Sequence, residues 1–172
     1  MQPRETAIVG VMAALTAVGA QVSVPIGQVP VTLQVLFVLL SGLMLGSRLG
    51  FLALLVYDVA GALGLPVFAG LTGGLGQIYG PLGGYIAAFP LAAFLVGLSR
   101  GRGRWAMLTL SLAAVGLIYL LGWARLSAII GPGKALTVGV LPFIPFDASK
   151  AIIAVIVAEK IGRAGLLPLP HR

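Results

Sequence analysis

The chain has 172 residues, 59% of them hydrophobic and only 9% charged, and its mean hydropathy of +1.11 lies far outside the balance of a soluble domain. The net charge of +7 does not signal a nucleic-acid partner, because the eleven basic residues are scattered singly or in one short run with no aromatic-basic face. Cysteine is absent and the single histidine, His171, stands beside the C-terminus, which excludes disulfides, thiolate metal sites and cysteine nucleophiles; neither metal nor cofactor is expected.

Gly, Pro and charge punctuate the chain into expected helices at about Glu5 to Val22, Thr32 to Leu45, Gly50 to Leu63, Pro81 to Leu98, Trp105 to Ile130 and Phe146 to Ile161. With roughly 20 apolar residues needed per crossing, six helices use most of the chain. The expectation is one all-α transmembrane bundle over residues 1–172 with short loops. The second and third helices are short for a full crossing and are divided by the turn at Gly46, Ser47 and Arg48.

Basic residues accumulate on the cytoplasmic side of membrane proteins. With both termini inside, the inner segments hold eight cations, among them Arg48, Arg100, Arg102 and Arg104, while the outer loops hold only Lys134 and the helices hold Arg125 and Lys150. A secretory signal ending at Val18-Gly19-Ala20 is the competing reading, and it would leave five spans.

In this orientation the polar intramembrane residues gather toward the outer end: Gln21, Gln34, Asp58, Tyr85, Arg125, Asp147 and Lys150. Each is a functional candidate, because polar groups are expensive in lipid. Each also has a plainer reading. Asp147 can cap the last helix with Lys150 as its ion-pair partner one turn on, Asp58 and Arg125 can neutralise each other, and Gln34 and Tyr85 can join helices. A lysine at a helix N-terminus is nevertheless poorly placed for the dipole unless an anion attends it.

The stretch from Gly61 to Gly84 carries nine of the 25 glycines and cannot be a comfortable helix. Irregular backbone near a membrane is tolerated where it lines a cavity or is covered by protein. It has neither a dinucleotide fingerprint nor a phosphate loop, so energy for any transport comes from partners or gradients. In the first helix Gly10 and Ala14 form one small-residue stripe, and Ala13 and Ala17 the next. Such stripes serve either internal packing or the docking of another membrane subunit.

Several segments together resemble the BioY family: Ala13 to Ala20, Val29-Pro30-Val31-Thr32-Leu33-Gln34, Gly64-Leu65-Pro66-Val67-Phe68-Ala69-Gly70, Gly80-Pro81-Leu82-Gly83-Gly84-Tyr85 and Pro142 to Lys150. That family comprises biotin-specific S components of energy-coupling factor (ECF) transporters, multi-pass proteins of the prokaryotic cell membrane. The resemblance implies a six-helix fold that captures biotin from outside and works with a transmembrane coupling subunit and two ABC-type ATPases. It implies that Ala13 and Ala17 face the coupling subunit and that Asp147 and Lys150 belong to the site.

Biotin presents ureido N-H donors beside a carbonyl acceptor, an apolar thioether ring and a terminal carboxylate. Asp147 is expected to accept from the ureido N-H groups, with Tyr85 or Gln34 donating to its carbonyl. Phe68 and the backbone of Gly70, Gly73 and Gly74 would wall the ring, and Lys150 or Arg125 would pair the carboxylate. The loop from Ser23 to Pro30 is expected to be a lid. An S component for another vitamin, an intramembrane enzyme using Asp58 and Asp147, and a purely structural subunit remain as alternatives.

Overall fold

The computed structural model describes residues 2–26 and 29–164; His171 lies outside them. Helix α1 (Pro3–Gln21) opens with Pro3 at its first position and with Glu5 accepting the Gln2 backbone N-H at 2.8 Å. Both features suit a helix start. Strands β1 (Ser23–Ile26) and β2 (Val29–Thr32) then form an antiparallel hairpin in which Ser23 faces Thr32 and Pro25 faces Pro30. Two prolines conceal these strands in the sequence, yet proline is admissible where both strands are edges. The tip of the expected lid, Gly27 and Gln28, lies outside the described residues.

Helix α2 (Gln34–Ala62) is helical at both ends but contains Gly46 with φ +81° and ψ 177°, a conformation that glycine reaches without steric cost. The chain reverses there. A Cβ on Gly50 would stand 3.0 Å from the Gly42 Cα, whereas residues eight apart on one straight helix are separated by about 12 Å. The apolar 29-residue stretch is therefore a hairpin of two limbs, as the turn at Gly46 suggested, and does not cross as one rod. The break strips the Leu45 carbonyl of its helical donor, and Arg100 Nη1 supplies one at 3.1 Å.

The chain continues through a short α3 (Leu75–Tyr79), α4 (Gly83–Gly97), α5 (Arg104–Ile130), α6 (Pro132–Gly139), a 3₁₀ turn (Leu141–Phe143) and α7 (Ile144–Arg163). The six principal helices are α1, the two limbs of α2, α4, α5 and α7. By length and composition Gln34–Ala62, Arg104–Ile130 and the stretch Pro132–Arg163 are apolar enough to cross a membrane, and Gly83–Gly97 is a shorter apolar helix.

Small residues set the central crossing. Gly42 lies beneath the Ala93 carbonyl and Gly97 against the Ser47 backbone, so neither has room for a Cβ and α2 and α4 approach closely. Large apolar side chains such as Val18, Phe94, Leu120 and Ile152 point outward, as lipid permits. The two ends of the bundle differ. One holds Arg100 and the Arg104–Glu159 ion pair at 2.6 Å; the other holds the β-hairpin, the glycine-rich segment and the start of α7.

Candidate ligand-binding site

At the hairpin end the helices enclose a cavity, about 660 Å³ of empty space with the open solvent at its mouth included. Its walls are mainly apolar, with Phe68, Phe89, Ile118 and Phe143 prominent, and its polar groups arrive from separate elements.

The start of α7 provides the charged part. Asp147 and Lys150 are 4% and 7% exposed, one helical turn apart, and Lys150 Nζ donates to Asp147 Oδ1 at 2.6 Å. From α5 the Tyr119 hydroxyl donates to Asp147 Oδ2 at 2.7 Å. Desolvating a carboxylate is tolerable only with such partners. The pair is neutral as a whole, yet it keeps spare capacity: Lys150 has further N-H groups, and each Asp147 oxygen has a second acceptor direction.

Opposite, the start of α2 supplies a second polar group. Thr32 Oγ1 donates to Gln34 Oε1 at 2.8 Å, Gln34 Nε2 donates to the Tyr57 hydroxyl at 2.6 Å, and that hydroxyl donates to the Val67 carbonyl at 3.0 Å. The two limbs of α2 and the glycine-rich segment are thereby tied into one wall. Gln34 retains one amide N-H for a ligand. Tyr85 gives its proton to the Gly139 carbonyl at 2.8 Å, so toward a ligand its hydroxyl acts as an acceptor, not as the expected donor. Its ring rests on Gly122, where a Cβ would overlap it.

The structure thus brings Asp147, Lys150, Tyr85, Gln34 and Phe68 to one cavity. It places the other expected residues elsewhere. Gly70, Gly73 and Gly74 belong to the segment that carries the lining residues Phe68, Ala69 and Thr72 but do not themselves line the cavity. Arg125 is spent on carbonyls, donating to Gly80 at 3.3 Å and more closely to Tyr79, so it fastens the entry to α4. Ala13 is buried in the bundle and Ala17 is partly buried, while Gly10 and Ala14 are exposed on the outer face of α1.

Asp58 lines a different, apolar groove with Leu55, Val59 and Pro90, and its Oδ1 is buried without a partner. Among the described residues Asp58 makes no ion pair with Arg125, nor does it share a cavity with Asp147. Tyr119 is the principal cavity residue that sequence reasoning missed. A lone tyrosine inside Leu117-Ile118-Tyr119-Leu120-Leu121 was the available signal.

Residues 1–166 match the model of the BioY family. The chain belongs to the BioY family. Within it the chain is similar to the probable biotin transporter BioY of Pyrococcus horikoshii, 55% identical over 161 residues that cover 94% of this chain and 98% of that one. The biotin transporter BioY of Thermotoga maritima is 42% identical over 156 residues, covering 88% and 92%. A solved structure, the S-component for biotin from an ECF-type ABC transporter, superposes with a TM-score of 0.85 at 26% identity, covering 92% of this chain and 90% of that chain. BioY membership accounts for a membrane-embedded helical bundle and sets aside the intramembrane-enzyme alternative.

Proposed function

We propose that this protein is the biotin-binding S component of an ECF-type importer, without enzymatic activity or cofactor of its own. It resides in the prokaryotic cell membrane as a multi-pass protein. Its arginine-rich end lies in the cytoplasm, and its cavity opens outward. A coupling subunit and two ABC-type ATPases complete the transporter, and ATP is consumed only by those partners. The outward stripe of Gly10 and Ala14, with Ala17 at its margin, forms the docking face for the coupling subunit; Ala13 is turned into the bundle.

The observation that carries the cargo assignment is the Tyr119–Asp147–Lys150 set at the end of an apolar chamber. A neutral pair that offers an acceptor beside a donor matches a ureido group, which offers N-H beside C=O. Lys150 donates to the ureido carbonyl, Asp147 accepts from its N-H, and the fused ring packs between Phe68 and Phe89. With the cations so engaged, the ligand carboxylate is placed toward the mouth and the Gln77 amide. The test is competition for labelled biotin on the purified protein. Unlabelled biotin should displace the label, whereas riboflavin, thiamine and folate should not; preferential displacement by one of these would reassign the cargo.

A further inference from the structure

Helix α1 ends in Gln21, whose side-chain amide is bonded to the backbone of a segment some fifty residues on. Its Oε1 accepts the Leu71 N-H at 2.9 Å, and its Nε2 donates to the Phe68 carbonyl at 3.1 Å and to the Val67 carbonyl at 3.5 Å. Nε2 also lies 3.1 Å from the Ala17 carbonyl of its own helix. The segment is a tight loop closed by Phe68 N-H to the Thr72 carbonyl at 3.0 Å and Thr72 N-H to the Phe68 carbonyl at 3.4 Å. At its tip Gly70 and Leu71 are both left-handed, with φ +72° and +56°. Leucine avoids that conformation, and its amide is the one that Gln21 captures.

The inner side of this loop gives Phe68, Ala69 and Thr72 to the cavity. Its other attachments run to α2: the Tyr57 hydroxyl at the Val67 carbonyl, and the Phe68 ring set edge-on to Tyr57 with centroids 5.5 Å apart. Helix α1 packs chiefly on α2 and exposes Gly10, Ala14 and Val18 on its far side.

We propose that Gln21 is a positioning residue that holds the Phe68–Thr72 loop over the ligand, so that ligand retention depends on where α1 stands. Hydrogen bonds weaken steeply with misalignment. A shift of about 1–2 Å in the end of α1 is enough to release the loop tip while leaving the α2 anchors in place. A partner seated on Gly10 and Ala14 would act on the same rigid rod.

The test uses dissociation and association rates of labelled biotin from the purified full chain, and only this choice of probe rests on the biotin assignment. Gln21→Leu should raise the dissociation rate at least about tenfold, with a much smaller effect on association and an unliganded melting temperature close to wild type. Gln21→Glu supplies a readout that a merely structural role would not move. Ionised, it sets a charge against two carbonyls and should dissociate as fast as the leucine variant. Protonated as the pH falls below the ordinary glutamate pKa of about 4.3, it has a donor and an acceptor again and should recover slow dissociation. Asp58, Asp147 and Lys150 are common to both proteins, so wild type at each pH is the reference.

Unchanged dissociation in Gln21→Leu overturns the proposal, as does a Gln21→Glu defect indifferent to pH. If Gln21→Leu does not fold, the glutamate variant at two pH values decides alone. A wild type that binds no biotin retires the cargo assignment and this inference together, whereas a binding wild type with unaltered variants retires only the inference.

Discussion

The Tyr119 hydroxyl donates to Asp147 Oδ2 at 2.7 Å while Lys150 Nζ holds Oδ1 at 2.6 Å, so both oxygens of a buried carboxylate are engaged and aimed before a ligand arrives. Removing the tyrosine hydroxyl deprives Asp147 of a charge-assisted hydrogen bond worth about 1.5–3 kcal/mol. Tyr119→Phe should therefore fold and weaken biotin binding by roughly tenfold or more. Affinity equal to wild type in an equilibrium binding measurement would reduce Tyr119 to a packing residue.

Breaking the buried pair from one side leaves an uncompensated charge. Lys150→Met or Asp147→Leu alone should destabilise the protein by about 3–5 kcal/mol. The double variant should lose much less, because well-packed apolar residues often replace a buried pair without penalty. Thermal unfolding in detergent measures this coupling. Additive losses in the double variant would contradict it.

Tyr85 depends on what lies beneath and beyond it. Gly122 lies under its ring, and the Gly139 carbonyl accepts its hydroxyl. Gly122→Ala should displace the ring and lower biotin affinity, whereas Gly116→Ala on the same helix, with open space around it, should not. Equal affinities in the two variants would remove Tyr85 from the binding surface.

The chain has no cysteine, which makes single-cysteine reporters clean. A cysteine replacing exposed Lys134 should react with a membrane-impermeant maleimide added outside intact cells, and one replacing exposed Arg102 should not. The reverse pattern would invert the assigned orientation.

The six principal helices were legible because each is an apolar run bounded by Gly, Pro or charge, and even the reversal at Gly46 showed as Gly46-Ser47-Arg48. The β-hairpin was not, since Pro25 and Pro30 hide a strand, and neither was α6, whose Pro132 and Gly133 look like turn chemistry. Within the site, polarity at the outer end of the spans identified Asp147, Lys150, Gln34 and Tyr85, which meet in the cavity. Arg125 has the same sequence signature but bonds to Tyr79 and Gly80. A chain alone does not say which face of α5 a cation takes. Tyr119 and Tyr57 were overlooked because a tyrosine in an apolar run reads as one more large side chain until its hydroxyl has a partner. Small residues on α1 showed two stripes without saying which turned outward; packing on α2 takes Ala13 and leaves Gly10 and Ala14 exposed.

The most direct measurement is a titration of biotin into the detergent-purified wild-type protein beside Lys150→Ala. Saturable binding near one biotin per chain in the wild type, with affinity at least about a hundredfold weaker in the variant, is the predicted result. No saturable binding by a folded wild type, or equal affinity in Lys150→Ala, would contradict biotin capture at the Tyr119–Asp147–Lys150 cavity.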